Sequence, residues 1–123
     1  MLAGELLSLR ADLAQGFIMR WGQLTKEQLS LFKDEYQALN GRPIKAVSLQ
    51  DVECAASMGD VALAKAPAWK FSFELRLKKG AQLVKEGRIG RASTMPETKE
   101  LVFCAKSIKL RNQWVRTINN LLL

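Results

Sequence analysis

The fold is decided by residues 101–122, which read LVFCAKSIKLRNQWVRTINNLL. Leu101–Ala105 is an apolar run of strand length, and Ser107 after it offers a hydroxyl suited to capping the first turn of a helix. The apolar residues beyond it recur every three or four positions and the polar residues take the other side: Leu110, Trp114, Ile118 and Leu121/Leu122 against Lys109, Arg111, Asn112, Arg116 and Asn119. This pattern predicts a helix over about residues 107–122 whose apolar stripe packs on the sheet before it.

The clearest strand of that sheet precedes the helix. Between Trp69 and Leu77 every second residue is apolar, and the residues between are polar: Trp69, Phe71, Phe73, Leu75 and Leu77 against Lys70, Ser72, Glu74 and Arg76. A period of two residues is typical of a strand with one buried face and one face in water. A shift of one residue would bury two cations and a carboxylate, so we expect a well-defined register.

Shorter strand-like runs fill the first half of the chain. They occupy residues 4–9, 17–25, 28–33, 44–49 and a stretch that begins at Asp51. A tight turn at residues 26–27 and a polar break over residues 34–43, closed by Asn40-Gly41 and Pro43, separate them. Six or seven short strands within about residues 4–105, followed by one helix, predict a single mainly β domain over residues 1–123. We expect an antiparallel sheet curled into a barrel whose open end is closed by the helix.

Composition argues against an enzyme. The chain has no histidine, which removes the commonest general base and the commonest metal ligand. Its two cysteines, Cys54 and Cys104, lack the spacing of a metal site, and we expect reduced thiols. No phosphate-binding glycine loop occurs either. We therefore expect a protein without catalytic activity, metal or cofactor.

The positive charge is unevenly distributed. The chain carries a formal net charge of +7, with −2 over residues 1–61 and +9 over residues 62–123. Six lysine or arginine residues lie within residues 78–99, together with Pro96 and three glycines. We expect this segment to form a long basic loop that contains at most a short strand. Such a field attracts anionic lipid, acidic peptides or nucleic acid without choosing among them. No apolar stretch approaches the length needed to span a bilayer.

The order of elements and several motifs resemble the pleckstrin-homology (PH) domain. An Ala-x-Ser at Ala105–Ser107, followed by a helix with Trp114-Val115 and Ile118, is similar to the end of that family. Four earlier stretches resemble its first four strands: Gly4–Leu7, Arg20–Thr25, Leu29–Lys33 and Val47–Val52. The resemblance extends from Gly4 to about Leu122 and implies seven antiparallel strands capped by a C-terminal helix.

The resemblance also implies a site for anionic headgroups. Lipid-binding PH domains hold inositol phosphates with cations from the first two strands, and Arg20 matches one of these ligands. Ser8 and Ile18 stand where such members carry further cations, so the resemblance implies weak or atypical lipid affinity. The residues expected to contact an anion are Arg10, Arg20, Lys33, Arg42, Lys78, Lys79, Lys85, Arg88 and Arg91.

Two functions follow from these patterns. The first is a module that directs a larger signalling or trafficking protein to phosphoinositide-containing or other anionic membranes, in the cytoplasm and at the membrane periphery. The second is a protein–protein interaction or scaffold module without a physiological lipid ligand, which would bind a peptide at a sheet edge or beside the helix. Nucleic-acid binding is disfavoured because no RNA-binding signature occurs and the aromatic residues are expected in the core.

Overall fold

Nine antiparallel strands in one sheet form the framework of the protein. The computed structural model describes residues 2–9, 17–58, 71–79, 82–85, 93–94 and 100–123, with backbone alone for Leu9 and residues 82–85 and 93–94. The strands are β1 (Leu2–Leu9), β2 (Phe17–Leu24), β3 (Gln28–Phe32), β4 (Lys45–Ser48), β5 (Val52–Ser57), β6 (Phe71–Leu77), β7 (Gln82–Lys85), β8 (Ser93–Thr94) and β9 (Glu100–Ala105). The helices are α1 (Glu35–Asn40) and α2 (Ile108–Leu121), and a 3-10 turn occupies Leu49–Asp51.

The strand order confirms the predicted fold and adds two strands to it. The sheet runs β5-β6-β9-β1-β2-β3-β4-β7-β8, and every neighbouring pair is antiparallel. Seven of these strands and α2 are the elements expected from the sequence. The other two, β7 and β8, come from the long basic segment 78–99, and β7 pairs with β4 from Lys45 to Val47. This pairing covers an edge of β4 that the seven-stranded arrangement leaves open.

The core lies between the curled halves of the sheet. Its largest members that are fully buried are Phe73, Phe103, Leu6, Leu24, Leu29, Leu75 and Ile118. Phe73 and Phe103 lie opposite each other on β6 and β9, with ring centroids 5.4 Å apart. The alternation that predicts strands from Phe71 to Leu77 and from Leu101 to Ala105 therefore also identifies the residues that fill the interior.

Helix α2 closes this core as expected. The Ser107 hydroxyl accepts the backbone N–H of Leu110 at 3.1 Å, which confirms the predicted N-cap. Trp114 and Ile118 are buried at 2% and 0% exposure, and the helix packs on β5, β6 and β9. Leu110, however, is 38% exposed, so the buried stripe begins one turn later than the sequence predicts. None of the helices in the described ranges is long and apolar enough to cross a membrane.

The sequence analysis places Asn119 on the polar face of α2, but its side chain makes hydrogen bonds to the sheet. Its side-chain oxygen accepts the backbone N–H of Ala55 at 2.9 Å, and its side-chain nitrogen donates to the Ala55 carbonyl at 2.9 Å. Ala55 lies on β5, which is an edge strand of the sheet formed by the described residues. The amide of Asn119 thus pairs with the edge as another strand would, because it presents one donor and one acceptor side by side.

Gly22 makes room for the indole of Trp114. A Cβ atom at this position would lie 2.9 Å from Leu6 Cδ1 and 3.2 Å from Trp114 Cη2. Leu6 is fully buried and Trp114 nearly so, so neither side chain has free space to move into. The close approach of Leu6 and Trp114 to this position explains the glycine.

The polar break at residues 34–43 contains a helix that the sequence analysis missed. Asp34 caps α1 by accepting the backbone N–H of Gln37 at 2.9 Å, and the Gly41 N–H returns to the Gln37 carbonyl at 2.6 Å. The helix contacts β2 and β3 but has no buried residue. Local capping therefore determines this helix, and its sequence has no apolar periodicity that would predict it.

The sequence analysis expects the polar face of β6 to lie in water, but two of its side chains are buried. Ser72 and Glu74 are 2% and 9% exposed, although both occupy polar positions of the alternation. Glu74 accepts a hydrogen bond from Arg76 Nε at 2.9 Å, which compensates the burial of its charge. Trp69, expected in the same strand, lies outside the described residues.

Candidate anion-binding site

Four cations lie around one end of strands β1 to β4. They are Arg20, Lys33, Arg42 and Lys45, and we call them the cation rim. Because neighbouring strands are antiparallel, the end of β3 and the start of β4 fall at the same end of the sheet as the β1–β2 connection. Lys33 and Arg42 lie in the connection between β3 and β4, whereas Arg20 and Lys45 belong to strands.

Arg20 lies on the core side of β2, near the end of the interior. It is directly opposite Leu6, which is fully buried, and residues opposite each other share one face of the sheet. The side chain is half-buried, and Nη1 donates to the Met19 carbonyl at 3.2 Å. Arg20 therefore has its aliphatic part against the core and its guanidinium close to solvent, as an arginine that binds phosphate requires.

Lys45 was missed by the sequence analysis. It begins β4 opposite Leu31, a core residue, and therefore also lies on the core side of the sheet. It is half-buried and lines a shallow apolar recess with Val47 and Phe103. The available signal was a lysine at the first inward position of the run Lys45–Leu49, where Val47 and Leu49 are both buried.

Lys33 and Arg42 are exposed on either side of α1. Lys33 follows β3 directly. Trp21 pairs with Phe32, so the same register continued by one residue brings the backbone of Lys33 opposite Arg20. Asp34 and Glu35 lie close in sequence and reduce the local positive charge, although Asp34 is already engaged as the N-cap of α1. The connection thus contributes two solvent-exposed cations to a rim whose other two members are half-buried.

Two predicted cations lie elsewhere. The backbone N–H of Lys78 donates to the Asp51 carbonyl at 2.8 Å, so exposed Lys78 and Lys79 lie beside the 3-10 turn. That turn meets the β2–β3 turn through the hydrogen bond from Leu49 N–H to the Glu27 carbonyl at 2.9 Å. Lys78 and Lys79 therefore lie near the end of β2 and β3 that is away from Lys33.

Of the other four predicted site residues, the structure describes only Lys85, and for this residue only the backbone. The backbone of Lys85 pairs with that of Lys45, so β7 brings one more lysine position to the cation rim. Arg10, Arg88 and Arg91 lie outside the described residues. The described part of the rim is therefore built from Arg20, Lys33, Arg42 and Lys45, with the position of Lys85 adjacent in the sheet.

The two cysteines are free thiols, and the described residues contain no group of three or more Cys, Asp or Glu side chains that could hold a metal ion. Burial raises the pKa of the Cys104 thiol to about 11, which keeps it protonated and unreactive at neutral pH. The recess beside Lys45 is too narrow to admit a water molecule. The chemistry that the rim offers is therefore that of a surface: exposed cations can donate charge-assisted hydrogen bonds to an anion with several oxygen atoms.

The family model of the PH domain matches residues 1–122, and the chain belongs to this family. Members of this family are generally non-catalytic, and the assignment supports a PH-type binding module. No curated protein is similar enough in sequence to count as a relative.

Solved structures with the same fold include two of the Slm1 PH domain. One has a TM-score of 0.69 at 18% identity, covering 100% of this chain and 97% of that one. The other, in complex with inositol-4-phosphate, has a TM-score of 0.64 at 19% identity, covering 98% and 95%. The N-terminal PH domain of human ARAP2 has a TM-score of 0.60 at 17% identity, covering 98% and 77%. At these identities the likeness shows the fold, which agrees with the family assignment.

Proposed function

We propose that this PH domain directs a larger cytoplasmic protein to the periphery of membranes that contain phosphoinositides or other anionic lipids. The observation that carries the proposal is the cation rim, where Arg20 and Lys45 face the mouth of the sheet beside exposed Lys33 and Arg42. Several convergent cations are needed, because a single exposed ion pair contributes less than about 1 kcal/mol. The Slm1 PH domain, which has the same fold, forms a complex with inositol-4-phosphate.

The lipid affinity we propose is weak or atypical. The β1 residue Ser8 is buried and uncharged, and Ile18 opposite it adds no cation. Asp34 and Glu35 further lower the positive charge of the β3–β4 connection. A rim of this composition supports binding that depends on both phosphorylated headgroups and the background charge of the membrane.

Vesicle sedimentation with paired variants tests this function. Arg20→Ala combined with Lys45→Ala should reduce binding to phosphatidylcholine vesicles with a minority of phosphatidylinositol 4-phosphate by about tenfold, since two charged contacts are lost. Lys26→Ala combined with Lys109→Ala removes the same charge from exposed positions in the β2–β3 turn and on α2, and should leave binding nearly unchanged. Equal losses in both pairs, or no binding by the unmodified chain at low salt, would contradict the proposal.

The scaffold alternative receives less support from the sheet edges. Asn119 occupies the outer backbone groups of Ala55 on β5, and β7 covers β4. A peptide strand would have to displace one of these partners before it could pair with either strand.

A further inference from the structure

The short helix α1 carries an exposed apolar pair. Tyr36 is 69% exposed and Leu39 is 77% exposed, the largest values for bulky apolar side chains within the described ranges apart from the C-terminal Leu123. Residues three apart lie on the same side of a helix, so the two side chains form one projection. We call Tyr36 and Leu39 the α1 knob.

The knob is held firmly although its side chains are exposed. The Asp34 carboxylate and the Gly41 N–H close the two ends of α1, and the helix contacts β2 and β3. Ile44 N–H then donates to the Leu31 carbonyl at 2.7 Å, which returns the chain to the sheet. These contacts order the backbone that carries Tyr36 and Leu39, so binding through the knob requires little further ordering of the main chain.

The charges around the knob match one kind of partner. Lys33 precedes α1 and Arg42 follows it, and both are exposed at the end of the sheet where Arg20 and Lys45 lie. Tyrosine has an apolar ring and a polar hydroxyl and is enriched at the boundary between lipid headgroups and acyl chains. Leucine next to basic residues is typical of segments that enter the outer part of an anionic bilayer.

From this juxtaposition we propose that Tyr36 and Leu39 insert between the headgroups of an anionic membrane while the cation rim contacts those headgroups. The inference rests on the proposed membrane function and deepens it, because it assigns a second component of binding that does not depend on charge. Glu35 is also exposed on α1 and limits how deeply the helix enters. The insertion is therefore confined to the two knob side chains.

Monolayer penetration separates this inference from simple electrostatic attachment. The probe is a film of phosphatidylcholine and phosphatidylserine in a ratio of about four to one, to which the complete chain is added. The unmodified protein should raise the surface pressure, and Tyr36→Ala combined with Leu39→Ala should remove most of that rise. Vesicle binding by the same variant should weaken about fivefold at low salt, because apolar area no longer leaves water.

Ile108→Ala provides the matched control. Ile108 is 52% exposed on the first turn of α2, which follows β9, and its replacement also removes exposed apolar area. This control should penetrate the film like the unmodified chain, and all variants should unfold at the same temperature because the replaced side chains are exposed.

The outcomes distinguish the two proposals. If the unmodified chain binds no anionic vesicles, the membrane function itself fails. If it binds but the knob variant binds and penetrates equally well, the function stands and the insertion is wrong. If the knob variant loses a protein contact while lipid binding is unchanged, the knob is a protein-docking surface and the insertion is equally wrong.

Discussion

The helix-packed region and the cation rim lie on different strands of one sheet, since α2 packs on β5, β6 and β9 and the rim residues belong to β2, β4 and the β3–β4 connection. Around α2, side chains from the helix and the sheet exclude water, and the hydrogen bonds between them join neutral groups, as Asn119 and Ala55 do. At the rim, Arg20 at the second inward position of β2 and Lys45 at the first inward position of β4 are half-buried cations. From this contrast we expect stability to be concentrated under the helix, and the fold to tolerate loss of the residues proposed for recognition.

The largest test of this contrast is Trp114→Ala. Removal of a nearly fully buried indole from beneath α2 should lower the free energy of unfolding by about 3–5 kcal/mol, as other large-to-small core substitutions do. Urea denaturation measures the change, with Lys33→Ala as the rim counterpart. The rim substitution should alter stability by less than about 0.5 kcal/mol. Similar losses for the two variants would show that stability is not concentrated under the helix.

A smaller effect is expected from Asn119→Ala. The substitution leaves both the N–H and the carbonyl of Ala55 without their side-chain partner on the edge strand. Because both groups are only partly shielded and water can replace the amide, the free energy of unfolding should fall by about 1–2 kcal/mol. Asn120→Ala, at the exposed neighbouring position, is the control and should be nearly neutral. Hydrogen exchange of the Ala55 amide should accelerate in the first variant alone.

The smallest expected effect comes from Glu74 and Glu100, two carboxyl groups on the paired strands β6 and β9 that take no part in the cation rim. The hydrogen bond from Arg76 lowers the pKa of the Glu74 carboxyl, and the interaction with Glu74 raises the pKa of the Glu100 carboxyl. The raised pKa means that ionised Glu100 weakens the folded state, and that this cost appears as the pH rises through its folded-state pKa. The lowered pKa of Glu74 acts oppositely, with a stabilisation that is lost as the pH falls.

Glu100→Gln should therefore raise the free energy of unfolding at neutral pH by a few tenths of a kcal/mol. The gain should disappear in the acid range, where Glu100 is already protonated in the unmodified chain. Thermal unfolding across this pH range measures the difference, and Glu27→Gln in the β2–β3 turn is the control. A gain that persists unchanged at acid pH would show that the carboxylate pair is not its cause.

Much of the fold follows from local periodicity. The two-residue alternation at Phe71–Leu77 and the helical spacing of Trp114 and Ile118 both identify buried faces, and the structure confirms both elements. The same rules fail where a contact joins distant parts of the chain. Asn119 occupies a polar position of the helix, and its bonds to Ala55 depend on how α2 lies across β5.

The candidate site was only partly predictable for the same reason. The resemblance of Arg20 to a family ligand gave its position directly, whereas Lys45 required the register between β3 and β4. Lys78 and Lys79 looked equivalent to the other basic residues of segment 78–99, but a backbone hydrogen bond to Asp51 keeps them beside a different turn. Charge counted along the sequence did not reveal these positions, because strand pairing determines which cations become neighbours.

The pairing of β7 with β4 has a consequence for self-association. An uncovered β4 would present unpaired N–H and carbonyl groups to any other chain with an extended segment. The β7–β8 pair thus moves the edge of the described sheet from β4 to the two-residue strand β8, and so short an edge offers little for another chain to pair with. Shortening segment 78–99 to a minimal turn would remove this protection, and the domain would become prone to oligomer formation at high concentration even with its core intact.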